Sequence, residues 1–504
     1  MSIDKVCIIL SLLIFSNIFS LKLSKKFNIP TLIIYLGVGM LAGSEGIGGI
    51  EFDNAALAQF LGNIALSLIL FSGAYNTDIR DISPVKKEGL ALAFVGVLLN
   101  TLLVALPVYF FTPFNFTGSL LFGAIVSSTD ASAVMSILSF GKLDIKKKVG
   151  GILKLESGTN DPMANVIIII LLSIIRAGKF DLINGLLFLA GQIVIGIVMG
   201  IIMAKIAIMI IQKYEIRLQE LHQIIIFGFI LLTYGATNLL SGNGFMAIFL
   251  LGITLGDSPL IFRRNMKRFF GSISWMVEVG MFVMLGLLVF PSRLLEIWKV
   301  GVGVAIILIF LARPHSVFIT LFKSNLKREE KLFISWGGLK GAVPIVFATF
   351  PLVEGVENAE LIFNLVFFVV VLSVILQGMS LPFASRYLGL RDTSPRYFER
   401  GDLENFEYFE ETLTKVKVQP KGVVVGKQIK EINLPKDILL ILIDRGGKKI
   451  LPKGDTIINQ GDELYVLAEN PQIVEDYILD AVKQMEAGGQ NELSSIKKMK
   501  ACCE

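Results

Sequence analysis

The sequence predicts an all-α polytopic membrane protein of about thirteen transmembrane helices, with inverted repeats, two broken helices and a small C-terminal α/β cytosolic domain. Three observations carry this. Of 504 residues, 54% are hydrophobic, and the mean hydropathy is +0.70. Only 18% are charged, against about 25% in soluble proteins, and a large share of those lies after residue 400. The apolar stretches also recur at the roughly 20-residue length that a helix needs to cross a bilayer.

In order, the spans fall near 3–21, 29–44, 56–75, 89–111, 117–140, 151–175, 183–211, 221–240, 243–256, 271–290, 298–322, 332–351 and 361–385. The first is a spanning helix rather than a cleaved signal, because no A-x-A-like site follows it and Lys22, Lys25 and Lys26 lead straight into another apolar run. With the N-terminus outside, the loops on the cytoplasmic side collect the basic residues, among them Lys86, Lys87, Lys146, Lys147, Lys148, Arg263, Arg264, Lys267, Arg268, Lys327 and Arg328. The outer side holds Lys5, Arg176, Lys179, Arg293 and Lys299, beside the acids Glu45, Glu51, Glu354 and Glu357. That asymmetry follows the positive-inside rule. It predicts an inner (plasma) membrane protein with its C-terminus in the cytoplasm.

Other classes are excluded. A net charge of +5 suits basic cytoplasmic loops and not nucleic-acid binding, which wants a basic patch on a soluble fold. Cys7, Cys502 and Cys503 build no disulfide framework, and His222 and His315 stand apart, so neither a metal site nor an enzyme is expected.

Two spans depart from simple apolar composition. The fifth contains Ser127-Ser128-Thr129-Asp130-Ala131-Ser132, and the twelfth reads Gly337-Gly338-Leu339-Lys340-Gly341-Ala342-Val343-Pro344. Pro344 has no N–H for the carbonyl of Lys340. Each is the second member of a three-helix group, spans 4–6 and 11–13, and their odd separation sets the groups in opposite orientation. Interrupted segments at matching positions in two halves point to a transport site.

The sixth span opens Glu156-Ser157-Gly158-Thr159-Asn160-Asp161-Pro162. Ser157 and Asp161 share one helical stripe, and Glu156 and Asn160 the next. One turn thus offers a carboxylate, a hydroxyl, an amide and, through Pro162, the spare carbonyl of Gly158. These are hard oxygen ligands for Na⁺ or K⁺. A carboxylate within a membrane is costly unless a cation or a proton meets its charge. Cation and proton would therefore compete for Asp161, the chemistry that exchange requires.

Arg313 lies inside the eleventh span with Pro314 and His315, and Glu156 is its natural partner. His315 reads as a packing residue before a proton relay, and His222 as a solvated residue at a helix start. Glu278, an acid within the tenth span, modulates pH response or neutralises Lys340.

These motifs resemble the prokaryotic sodium/potassium:proton antiporters of the NhaP branch of the cation:proton antiporter-1 family. The resemblance rests on Ser127-Ser128-Thr129-Asp130-Ala131, Glu156-Ser157-Gly158-Thr159-Asn160-Asp161, Ala312-Arg313-Pro314 and Trp336 to Pro344, in order on the right spans. It implies exchange of Na⁺ or K⁺ for H⁺ with Asp161 as carrier, and Ser157, Asn160, Thr129 and Asp130 in the binding region. It also implies a structural Glu156–Arg313 pair, electroneutral exchange from the Asn160-Asp161 pairing, and a homodimer in which the broken-helix core moves. Lys340 stands where the family usually has arginine, Glu278 where a neutral amide is common, and Gly73-Ala74-Tyr75 where Gly-Gly-Leu is more usual. Alternatives are an organic-acid or other ion-coupled symporter on a related fold, or a regulated cation channel. The channel would need a Thr-Val-Gly-Tyr-Gly filter, which the sequence lacks.

The expected division is 1–391 for the membrane domain, 392–414 for a linker, 415–485 for a regulatory domain and 486–504 for a disordered tail. Strands are expected at Val423–Val425, Ile438–Asp444 and Glu463–Ala468, with a turn at Gly446-Gly447 and an amphipathic helix over Pro471–Lys483. Residues 434–463 resemble the TrkA C-terminal (RCK-C) domain. That resemblance implies dimerisation or a regulatory nucleotide or cyclic dinucleotide as ligand, no other cofactor, and K⁺ as the somewhat favoured cation.

Overall fold

A computed structural model describes residues 15, 30–140, 145–178, 182–213, 218–258, 260, 263–390, 413–418, 425–432, 438–446, 448–450 and 452–468. The expected first span, Cys7, the basic loop at Lys22 to Lys26, the linker before residue 413, the helix over 471–483 and the tail lie outside these. The chain forms two compact units, Met1–Thr393 and Ser394–Glu504.

The first unit is helical. In chain order its helices are α1 Thr31–Ala42, α2 Ala55–Tyr75, α3 Ile79–Phe111, α4 Phe116–Ile125, α5 Ala131–Phe140, α6 Lys147–Ala177 and α7 Leu182–Lys213. There follow α8 Gln219–Leu239, α9 Gly244–Asp257, α10 Arg263–Leu287, α11 Pro291–Thr320, α12 Arg328–Trp336, α13 Ala342–Val353 and α14 Ala359–Tyr387. Eight of these are long and apolar enough to cross a membrane, and α1, α4, α9 and α13 are shorter apolar helices. The expected second to thirteenth spans are all present. Those near 117–140 and 332–351 are split, as α4–α5 and α12–α13, with non-helical residues at Ser128–Asp130 and Gly338–Gly341.

Caps fix where several of these helices begin. Asn54, Asn115 and Asn243 accept the amides of Leu57, Gly118 and Met246 and so start α2, α4 and α9. Three long helices contain a π turn, at Leu92–Gly96, Ile307–Ala312 and Val374–Gly378. The hydroxyl of Ser316 donates to the carbonyl of Gly96 at 2.8 Å, which ties α11 to α3 at the first of these turns.

Two main apolar cores, with a small cluster of Ala74, Ile82, Leu155, Phe249 and Ile253, hold the described helices together. The larger gathers Phe122, Ile152, Ile168, Leu308, Phe333, Phe347 and Phe367 from the broken helices and their neighbours. The smaller joins Phe71, Tyr75, Ala204, Ile226, Leu251 and Phe270 of α2, α7, α8, α9 and α10. α2 bridges them, packing on α9 and α10 and also on α13.

The second unit holds a four-stranded antiparallel sheet, β1 Leu413–Lys417, β2 Ile438–Arg445, β3 Lys448–Ile450 and β4 Glu463–Ala468, in the order β1-β4-β2-β3. Gly446, at φ 59°, turns β2 into β3. Val423 and Val424 lie outside the described residues. Val425 sits in a turn and not in the expected strand. A small core of Val418, Ile443, Ile458, Leu464 and Val466 backs the sheet.

Candidate cation site

The two interrupted helices meet at their gaps. The amide of Asp130 donates to the carbonyl of Leu339 at 2.8 Å. The Nζ of Lys340 donates to the carbonyls of Ser128, at 3.0 Å, and Ser127, at 3.2 Å. Those carbonyls follow the C-terminal end of α4, where a helix gathers partial negative charge, so the cation stands where the dipole favours it. Asp130 does the converse at the start of α5, its Oδ1 accepting the amide of Ala133 at 3.0 Å.

Glycine makes this proximity feasible. A Cβ on Gly341 would lie 2.1 Å from Asp130 Oδ2, and one on Gly338 would lie 2.5 Å from Arg313 Nε. The gap is also tied from the other side. The amide of Lys340 donates to Ser373 Oγ at 3.1 Å, and Gln377 Nε2 to the carbonyl of Trp336 at 2.9 Å. Sequence reasoning missed this pair on α14. Its signal was two polar residues, i and i+4, in an otherwise apolar span.

α6 runs past the gap. Ser157 Oγ donates to the carbonyl of Thr129 at 2.8 Å, and Asn160 Nδ2 to Thr129 Oγ1 at 2.6 Å. Asn160 is fully buried and holds the loop; it is not among the residues lining the neighbouring cavity. That cavity, of about 230 Å³, is lined by Thr129, Asp130, Ser157, Asp161, Lys154 and Glu278 among largely apolar side chains of α2, α9 and α13. Asp161 Oδ1 is buried with no hydrogen-bond partner in the chain. A second residue that sequence reasoning missed is Asn243, which donates to the carbonyl of Pro162 at 2.9 Å and so anchors α9 to this turn of α6.

Behind the site, Arg313 Nη1 stands 2.6 Å from Glu156 Oε1, the two side chains 4% and 1% exposed. The contact has the distance of an ion pair without the alignment of a hydrogen bond. The expected partnership of the two residues is present.

The other ionisable candidates separate. Lys340 bonds to backbone carbonyls, and no ion pair among the described residues joins it to Glu278. His315 is exposed and its Nδ1 meets the carbonyl of Leu311 at 2.7 Å, which turns it away from the cavity. His222 is 1% exposed, not the solvated residue expected, although Leu218, Glu220 and Leu221 beside it are exposed. Among the described residues no group of three or more His, Cys, Asp or Glu side chains could hold a metal ion.

The comparisons agree with this geometry. Residues 9–386 match the family model of the sodium/hydrogen exchanger transmembrane region, and residues 413–478 that of the TrkA-C domain. Over 477 residues the chain is 33% identical to the K(+)/H(+) antiporter NhaP2 of Shewanella sp. (strain MR-4), spanning 94% of this chain and 82% of the relative. It is 30% identical over 472 residues to the K(+)/H(+) antiporter NhaP of Alkalimonas amylolytica, spanning 93% and 82%. It is 26% identical over 400 residues to the Na(+)/H(+) antiporter NhaH of Halobacillus aidingensis, spanning 75% and 97%. The sodium proton antiporter MjNhaP1 of Methanocaldococcus jannaschii superposes with a TM-score of 0.67 at 27% identity, covering 79% of this chain and 100% of that one.

Proposed function

The chain belongs to the sodium/hydrogen exchanger family and is a membrane-embedded antiporter exchanging K⁺ or Na⁺ for H⁺; from that premise we propose that Asp161 is the group on which cation and proton alternate. One observation carries the reading: a buried carboxylate oxygen without a partner in the chain, on the wall of a cavity it shares with Ser157 and Thr129. A bare charge in apolar surroundings is costly, and either a proton or a cation relieves it. They cannot do so together. Asp161 loaded with either ion has the same charge, while empty it resists passage through the apolar core. Only loaded sites cross, and exchange follows.

Ser157 and the Thr129 carbonyl supply further oxygens, and Asn160 holds the loop that presents them. Asp130 and Lys340 balance the helix ends at the crossing, and Glu156 with Arg313 forms a structural pair behind it. With one acid in the carrier turn, exchange is one for one and electroneutral. We assign K⁺ as the principal cation, supported by relatives named for K⁺ that match across both units of this chain. We further propose a homodimer in the lipid bilayer of the plasma membrane, N-terminus outside. The C-terminal unit is then cytosolic, and its TrkA-C match supports regulation there by a nucleotide or cyclic dinucleotide.

The test is collapse of a preset ΔpH in proteoliposomes on addition of K⁺, Na⁺ or Li⁺ separately, with wild type and Asp161→Asn. K⁺ gives the largest response in wild type, and the folded variant gives none. Exchange near the wild-type rate in Asp161→Asn overturns the assignment.

A further inference from the structure

Across the cavity from Asp161 stands a carboxylate that the exchange cycle above does not use. α10 contributes two lining residues, Glu278 and Met281, which at i and i+3 share one face of the helix. α2 contributes Leu66, Ile69, Leu70, Gly73 and Ala74, and α13 adds Ala342, Val343 and Phe347. These helices give the cavity a largely apolar lining in which Glu278 is the one acid they supply, beside the neutral Asn76 and Thr77 just past α2. Both acids also lie at similar depth: Asp161 is 14 residues into α6 and Glu278 15 residues into α10, about 21 and 22 Å along helices that each begin at a basic cluster. Lys154, on the same cavity, is two turns nearer the start of α6.

We infer that Glu278 is the electrostatic counterpart of Asp161: an uncarried second carboxylate that, when ionised, sets the affinity of the cavity for the transported cation. This deepens the reading of Asp161 as carrier and rests on it. An ionised Glu278 adds a negative charge to a small, largely apolar chamber, where it acts on a bound cation with little screening. At a separation of about 10 Å, one charge changes cation affinity by about tenfold for an effective dielectric of about 20. Protonated, Glu278 loses that effect, so the apparent affinity acquires a pH-dependent step that does not belong to Asp161.

The groups able to perturb this step are few. Asp130, Asp161 and Lys154 line the same cavity as Glu278. From the helices packed on α10, Tyr35 of α1 lies within electrostatic range. α2 and α13 add no ionisable group to the wall, and Glu220, His222 and Tyr234 of α8 do not line it.

The test measures the KM for K⁺ and the maximal rate from pH 6 to 9 in proteoliposomes, for wild type, Glu278→Gln, Glu278→Asp and Asp161→Asn. Glu278→Gln retains maximal exchange, raises KM about tenfold at the alkaline end, and meets wild type at the acid end. Glu278→Asp restores most of the alkaline affinity, which a packing role for the longer side chain would not do. A wild-type KM profile in folded Glu278→Gln overturns the inference, as does loss of maximal exchange equal to that of Asp161→Asn. If Asp161→Asn itself exchanges normally, the carrier assignment fails instead, and the two failures are told apart.

Discussion

The amide of Asp130 and the carbonyl of Leu339 share a hydrogen bond of 2.8 Å, joining the two interrupted helices backbone to backbone. Lys340 and Ser128 reinforce it at 3.0 Å. Each broken helix therefore supplies partners for groups the other leaves open, and neither gap is tolerable in an apolar setting alone.

Lys340→Met keeps the length of the side chain but removes the donor to the carbonyls of Ser127 and Ser128. We expect a loss of about 1–3 kcal/mol from leaving those acceptors unmet, read as a lower midpoint in thermal unfolding in detergent. Lys340→Arg keeps the charge in a fork of different shape and should lie between. A Lys340→Met variant as stable as wild type counts against the bridge.

Truncating Glu156 or Arg313 leaves a buried charge without its partner, at a cost of about 3–5 kcal/mol. The double variant Glu156→Gln/Arg313→Met should recover part of that loss. A double-mutant cycle with no coupling would show that the contact at 2.6 Å has no energetic content.

Gly341→Ala places a methyl where Asp130 Oδ2 now lies. The carboxylate must move, or the helix gap must widen, so we expect markedly slower exchange with the protein still inserted. Gly178→Ala serves as control: nothing lies within 4 Å of its Cβ position, and the strain of a left-handed φ of 64° falls far from the crossing.

Stoichiometry follows from the single carboxylate of the carrier turn. Clamping the potential with a permeant anion such as thiocyanate, which is not a substrate, should leave Na⁺-driven and K⁺-driven ΔpH formation almost unchanged. A transport current on a solid-supported membrane, removed by Glu278→Gln, would mean that Glu278 carries a second proton. That would overturn both electroneutrality and the uncarried role assigned to Glu278.

In the second unit, burial disfavours ionised Asp462, but the Arg445 guanidinium and the amide of Asn459 outweigh it and hold the carboxyl below its usual range. Arg445 meets both oxygens at 2.8 Å. A depressed carboxyl stabilises the fold above its unfolded pKa and loses that contribution as pH falls through the folded value. Hydrogen exchange on the intact antiporter should therefore show β2 and β4 opening more readily as pH falls from about 5 toward 3, below the ordinary aspartate range near 3.9. Asp462→Asn should open them at neutral pH.

Much of the architecture was legible because it is local. Apolar runs located the second to thirteenth spans, although α3, α10 and α11 begin well before the expected starts at 89, 271 and 298, and Ser157 with Asp161 was readable from helical spacing. The Glu156–Arg313 pair was readable because a buried arginine demands a partner and few acids were available. What escaped depended on distant residues. Lys340 finds its carbonyls 212 and 213 residues away, and nothing in its flanking sequence distinguishes them from the acid at 278. Asn160 was expected in the binding region, but its Nδ2 contact with Thr129 Oγ1, 31 residues away, is not written in the local sequence. His222 looked solvated because its position near a helix start says nothing of which neighbours cover it.

The π turn at Ile307–Ala312 ends where Arg313 begins, and it absorbs one residue of chain length just before the ion pair. A π turn accommodates one residue more than the α-helix around it, with no mark in composition. Leu308, Ile309 and Ala312 are buried, so substitutions at those positions must keep their apolar character. Deleting one residue of the turn would let it rewind as α-helix over nearly the same rotation, so Arg313 would keep its orientation toward Glu156. Lineages descended from this chain can therefore lose one residue of that segment where the same deletion in an ordinary α-helix would turn everything beyond it by about 100°.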